Sequence, residues 1–206
     1  MNKKALATAR LVFGIITLGA VIFQLINSIE NGRSIANFFS FFTVQSNILA
    51  AGLLVAAGTY GLRGGADKQI PYLRGALTLF MTMTGIIYVL LLSGNEVSLQ
   101  TTIPAVNIIL HYITPVVVLL DWLVFPPKKR LNFTWALLWL AYPLLYLVYS
   151  LIRGAITGWY PYPFIDPVTS GWVNVIGISL TLAVSTVILT WLLVLRTTLR
   201  PRTPLR

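Results

Sequence analysis

The chain has 206 residues, of which 57% are hydrophobic and 10% charged, with a formal net charge of +10. Soluble proteins carry about 25% charged residues, and no soluble sphere of this size could hide so much apolar surface. A soluble enzyme, a disordered chain and an anchor bearing a large extramembrane domain are therefore excluded.

A bilayer-spanning helix needs about 20 apolar residues, so six of them use roughly 120 positions and leave only short connections and two tails. The prediction is an all-α polytopic membrane protein, with residues 1–206 forming one six-helix transmembrane domain. In chain order the apolar runs predict spans near 6–29, 37–58, 73–93, 103–125, 133–153 and 171–196, separated by polar, glycine and proline signals. Lys3, Lys4, Arg10, Arg63, Lys68, Arg74, Lys128, Lys129, Arg130, Arg196, Arg200, Arg202 and Arg206 then fall on one side. Only Arg33 and Arg153 fall on the other, so the positive-inside rule predicts that both termini are cytoplasmic. This placement gives the basic charge a topological meaning and removes nucleic acid as its partner. The first run is too long for a signal-peptide core and has no A-x-A cleavage site, so it is expected to be retained.

Aromatic residues gather where the outer interface is expected: Phe38, Phe39, Phe41 and Phe42 near span two, and Trp159, Tyr160, Tyr162, Phe164 and Trp172 around the fifth loop. That loop, 154–170, also holds Gly158, Pro161, Pro163 and Pro167, which predicts an ordered, non-helical lid. Short loops suit a prokaryotic plasma membrane.

Cysteine is absent and histidine occurs once, at 111. Disulfides, iron–sulfur clusters and thiol catalysis are excluded, and neither a metal site nor an organic cofactor is expected. Polar side chains at membrane depth face protein or a water-filled cavity. In span four, Asn107, His111 and Thr114 share a helical face at i, i+4, i+7, with Asp121 nearer the cytoplasmic end. Pro115 cannot donate to the His111 carbonyl, which predicts a helix irregularity there. Asp121 lies too far along the helix to orient His111 and is expected to pair with the cations near Lys128–Arg130; Asp166 of the lid or Asn107 could orient the ring instead.

In span two, Thr43, Ser46 and Asn47 lie on one face. Thr43 falls roughly 9 Å and His111 roughly 13 Å below the expected outer ends of their spans, so they can meet if the helices are neighbours. Gln24 and Asn27 in span one, Tyr88 in span three, Arg153 ending span five and Asn174 opening span six fall in the same leaflet. Together these residues predict a polar pocket in the outer half of the bundle. A threonine hydroxyl becomes a useful nucleophile when a base takes its proton, and His111 is the only imidazole. The simpler alternatives are Thr43 bonded to its own backbone, Asn47 fastening helices and His111 as a structural histidine bonded to a neighbouring helix.

Asn107-x-x-x-His111 followed by Thr114-Pro115 and Asp121, the segment Phe41-Phe42-Thr43, and the loop Gly158-Trp159-Tyr160-Pro161-Tyr162-Pro163-Phe164 resemble the androgen-induced protein family of transmembrane threonine hydrolases. The resemblance covers about residues 33–180 and is closest to the short prokaryotic branch. The chain departs from the animal members in carrying isoleucine at 108 in place of a second histidine. The resemblance implies six spans and hydrolysis of fatty acid esters of hydroxy fatty acids, with Thr43 as nucleophile and His111 as base. A lipid or fatty acyl ester is then the expected substrate. Asn107, Ser46 or Asn47 is expected to stabilise the oxyanion, with Gln24, Asn27, Tyr88, Arg153 and Asn174 around the substrate. A small transporter or lipid-binding protein without catalysis is the alternative expectation, and a structural partner of another membrane complex is a third.

Overall fold

A computed structural model of the chain describes residues 2–65, 70–94 and 103–199. Lys68, Arg200, Arg202 and Arg206 lie outside the described residues. Six helices are long and apolar enough to cross a bilayer: span one Lys3–Glu30, span two Phe42–Leu62, span three Pro71–Leu92, span four Pro104–Val124, span five Phe133–Thr157 and span six Trp172–Thr198. Six successive crossings put the start of span one, Lys3, and the end of span six, Thr198, on one face, here called the terminal face.

The helix ends follow local chemistry. The Asn2 side chain accepts from the Ala5 amide at 2.7 Å to open span one. Pro71 and Pro104 stand at the first helical positions of spans three and four, where a missing N–H is harmless. Gly158 ends span five with φ +70, the left-handed conformation that glycine adopts without a Cβ clash.

Two expectations are corrected. Span two begins at Phe42, not near 37, because Ile35–Phe39 is a separate short helix capped by Ser34. The Ser40 hydroxyl turns back to the Ala36 carbonyl at 2.6 Å, and the chain then bends through extended Phe41 before winding again. The 154–170 segment is also more helical than expected. Span five continues to Thr157, Pro163–Ile165 forms a 3₁₀ turn, and Pro167–Ser170 forms one helical turn capped by Asp166.

Spans one and two make the closest pair in the bundle. An added Cβ on Gly58 would lie 2.6 Å from the Leu11 amide nitrogen and 2.7 Å from the Ala7 carbonyl oxygen. Both obstacles are backbone, so the helices themselves would have to part. Small residues permit this approach, which in lipid replaces the hydrophobic drive with close packing and dispersion. Gly58→Val is expected to destabilise the protein by about 1–3 kcal/mol, the usual range for overpacking, seen as a lower thermal midpoint in detergent. Gly19→Val should leave the midpoint within about a degree, because nothing lies within 4 Å of that position.

On the terminal face a compact ion cluster joins three spans. Asp121 accepts from Arg10 Nε at 2.9 Å and from Arg74 Nη2 at 2.8 Å, and all three side chains are nearly buried. Asp121 therefore pairs across to spans one and three, and not with Lys128–Arg130 as expected from chain proximity. Helix packing brings Arg10 and Arg74 beside it, whereas 128–130 follow the end of the helix. The neighbouring Trp122 is fully buried and donates to the Leu193 carbonyl at 3.1 Å, which adds span six to the same level.

Candidate functional site

The polar residues of spans two and four do come together. The Asn47 side chain, fully buried, donates to the Thr43 carbonyl at 2.9 Å and to the Leu110 carbonyl at 3.1 Å. Spans two and four are thus neighbours at the turn that carries His111. The same two bonds use both donors of the amide, leaving Asn47 none for the oxyanion role expected of it. Ser46 is held between the Thr43 carbonyl at 3.2 Å and the Thr84 hydroxyl at 3.1 Å.

His111 sits in a π-helical turn, Ile109–Ile113, immediately before Thr114-Pro115. The wider turn is the irregularity anticipated from Pro115, which offers no N–H to the carbonyl four residues earlier. A second π-helical turn, Tyr88–Leu92, ends span three. The two turns face each other through a stack of the Tyr88 and His111 rings, 4.0 Å between centroids. His111 Nδ1 lies 3.2 Å from the Asn107 carbonyl oxygen; with Nδ1 protonated, this bond fixes the tautomer and leaves Nε2 as the basic nitrogen. Asn107 in turn donates to the Tyr88 hydroxyl. Asn107 is therefore the residue holding the imidazole, and Asp166, spent on capping the Val168 and Thr169 amides, is not.

Span one closes this polar cluster from the other side. Gln24 and Ser28 are buried, and span one packs against the 104–113 segment. Thr17 and Thr114 meet hydroxyl to hydroxyl at 2.9 Å. The Oδ1 atoms of Asn27, Asn47 and Asn107 and the Ser28 hydroxyl are buried with no hydrogen-bond partner among the described residues. Such acceptors make a polar environment suited to internal water.

Thr43 faces differently. Its hydroxyl, in a residue only 8% exposed, lines a cavity bounded by spans two, three, five and six and by the fifth loop. Among the described residues His111 is not part of that lining. The cavity has a volume of about 120 Å³ and is open at its mouth. Phe80, Met83, Ile87, Leu147 and Leu182 make most of the wall apolar, and Thr43, Thr84, Tyr146 and Tyr162 supply polar points. Phe42 anchors the aromatic wall, edge-on to Phe80 at 6.0 Å and to Tyr146 at 5.1 Å.

The start of span two explains why two tyrosines stand there. Phe41 occupies the N-cap and offers no side-chain acceptor, so the first amides of the helix need partners from elsewhere. The Phe42 amide donates to Tyr146 Oη at 3.2 Å and the Thr43 amide to Tyr162 Oη at 3.3 Å. Tyr162 Oη is also 3.4 Å from Thr43 Oγ1. Burial pushes the Tyr162 phenol above its usual value, with its bonds to Thr43 pulling the other way, so it stays protonated near neutral pH. The expected interfacial belt is therefore partly an inner wall: Tyr162 is 6% exposed and stacks on Phe164, whereas Trp172 is 59% exposed.

Tyr146 is a site residue that the sequence reading passed over, whereas Tyr162 entered it as an aromatic of the fifth loop. The signal for Tyr146 was present in span five, where Tyr142, Tyr146, Tyr149 and Arg153 recur at i, i+4, i+7, i+11. All four tips reach the beginning of span two or the short helix before it. Tyr142 donates to Gln45, Tyr146 to the Ser40 carbonyl, Tyr149 meets the Ser40 hydroxyl, and Arg153 donates to Asn37. Arg153 also lies over the Trp159 ring at 4.7 Å. It is thus a lid anchor, outside the cavity lining. Asn174 is exposed and donates to the Ser170 carbonyl, away from Thr43 and His111.

Fold and site together define a six-helix polytopic membrane protein with a largely apolar internal cavity and a buried threonine on its wall. Comparison of the chain with protein-family models, with curated proteins and with solved structures finds no match.

Proposed function

We propose that the chain is an integral membrane hydrolase of a lipid-like ester, of the kind formed between a fatty acid and a hydroxy fatty acid, with Thr43 as nucleophile and His111 as base. The observation that carries this reading is Thr43, buried in the first turn of span two on the wall of an apolar cavity that suits an acyl chain. Supporting it, Asn47 binds the backbone of the Thr43 turn to that of the His111 turn.

In the proposed reaction Thr43 Oγ1 attacks the ester carbonyl, and its proton passes to His111 Nε2 through intervening water, since the ring lies outside the cavity lining. The tetrahedral oxyanion collapses with release of the alcohol, which takes the proton back from His111. Water, activated by the same imidazole, then hydrolyses the acyl-threonine. The protonated Tyr162 phenol, beside Thr43 Oγ1, replaces Asn47 as the candidate hydrogen-bond donor to the oxyanion.

A second reading, carriage or binding of an amphipathic molecule without cleavage, is favoured by one observation: the polar group recorded within 3.4 Å of the Thr43 hydroxyl is a phenol and not a base. The two readings separate in an untargeted comparison of lipids incubated with purified wild type and with Thr43→Ala. Loss of turnover by about 10³-fold or more in Thr43→Ala identifies the hydrolase and its substrate together. Saturable lipid binding with no product in either protein identifies a carrier.

A further inference from the structure

We infer that the cavity is filled from the side, by an acyl chain that enters from the hydrocarbon core between spans five and six. The inference rests on the lipid-ligand part of the reading above and not on catalysis.

The lining is shared between the two helices, with Leu140, Pro143 and Leu144 on one lip and Ser179, Ala183 and Thr186 on the other. Spans five and six are tied at two places. Near the terminal face, Phe133–Leu140 packs on span six; at the opposite face, the Pro163–Ile165 turn bridges span five to span six. Between these ties the helices part.

The cause is local. Pro143 has no N–H for the Trp139 carbonyl, and the residues before it, Leu137–Leu140, wind as a tighter 3₁₀ turn. Span five therefore changes course where it leaves span six. On span six, the lip residues Ser179 and Ala183 are too small to refill the gap. Both remain half-buried, while Leu144 across the mouth is 51% exposed.

Depth selects the occupant. Span six has 27 residues, about 40 Å of helix, and Ala183 lies eleven residues from its start, about 16 Å along. A mouth at that level faces the hydrocarbon core of about 30 Å, where headgroups and water do not reside. Of the two polar lip residues, Ser179 and Thr186, Thr186 turns its hydroxyl back to the Leu182 carbonyl at 2.6 Å. An acyl chain passing these residues would lead its carbonyl toward Thr43 and Tyr162.

The test is photolabelling of full-length protein in phosphatidylcholine vesicles containing a diazirine-bearing methyl palmitate, with adducts mapped by mass spectrometry. Adducts should concentrate on 140–147 and 179–186, and fall at least tenfold when the mouth is plugged by Ala183→Trp. Leu144→Trp plugs it from the opposite lip and decides the matter if Ala183→Trp does not fold. Val184→Trp, on a side chain that is 59% exposed, is the control and should label as wild type does. Undiminished labelling in a folded plug variant overturns the portal, as do adducts spread evenly over all exposed helix faces. Thr43→Ala should label normally. A protein that labels but hydrolyses nothing keeps the portal and loses the hydrolase; one that hydrolyses with both lips plugged does the reverse.

Discussion

Asp121→Ala is expected to destabilise the bundle by about 3–5 kcal/mol, the range for removing one partner of a buried ion cluster. The carboxylate is 12% exposed and accepts from two guanidinium groups, Arg10 at 2.9 Å and Arg74 at 2.8 Å. Without it two positive charges, on spans one and three, face each other at short range, at a level where solvent screening is poor. The Arg74 bond to the Asp121 backbone carbonyl, 2.6 Å, survives the substitution and aims that charge into the same space. The measurement is the thermal midpoint in detergent, together with the yield of monodisperse protein. Asp121→Asn should fall between wild type and Asp121→Ala, because an amide keeps an acceptor but not the charge. Replacing all three groups together, Arg10→Met, Arg74→Met and Asp121→Leu, should recover most of the loss, since an apolar substitute for a complete buried cluster is often neutral. An Asp121→Ala midpoint equal to that of wild type would show that the cluster is a bystander.

Six spans were legible because the bilayer imposes a length and a composition that short-range sequence records directly. Asp121 shows where this legibility stops. Counting along the chain offers Lys128–Arg130 as partners, whereas the actual partners lie 111 and 47 residues away and depend on which helices touch. The site divides in the same manner. Helical spacing placed Asn107 beside His111 and Thr43 beside Asn47, relations internal to one helix. It could not show that Thr43 turns toward spans three, five and six while His111 turns toward Tyr88 and span one, since that depends on how spans two and four are rotated. Tyr162 was hidden for a further reason. In sequence a loop tyrosine among prolines is indistinguishable from an interfacial aromatic, and its role arises from a neighbouring helix whose N-cap, Phe41, cannot satisfy its own amides.

If Thr43 is the nucleophile, His111→Ala should lower kcat for the identified ester by about 10²–10⁴-fold, the range for loss of a general base, with KM changed little because the ring does not line the cavity. Tyr162→Phe is expected to lower kcat less, by about 10-fold to 10²-fold, because one donor is lost while the Thr43 amide, released from Tyr162 Oη, remains as another. Thr43→Ser should retain part of the activity, having kept the hydroxyl. The pair of losses distinguishes two routes for the proton. A base at His111, reached through water, predicts that His111→Ala is the more damaging of the two substitutions. A hydroxyl relay through Tyr162 predicts the opposite ranking, with Tyr162→Phe the more damaging and His111→Ala close to wild type. That outcome would assign the Tyr88–His111–Asn107 stack to holding spans three and four together. Thermal midpoints settle whether such losses are chemical: the His111 ring, 4% exposed and stacked at 4.0 Å on Tyr88, also supports packing. His111→Phe therefore accompanies His111→Ala as the variant that keeps the stack and removes the base. Equal kcat in His111→Phe and wild type would remove the imidazole from the mechanism.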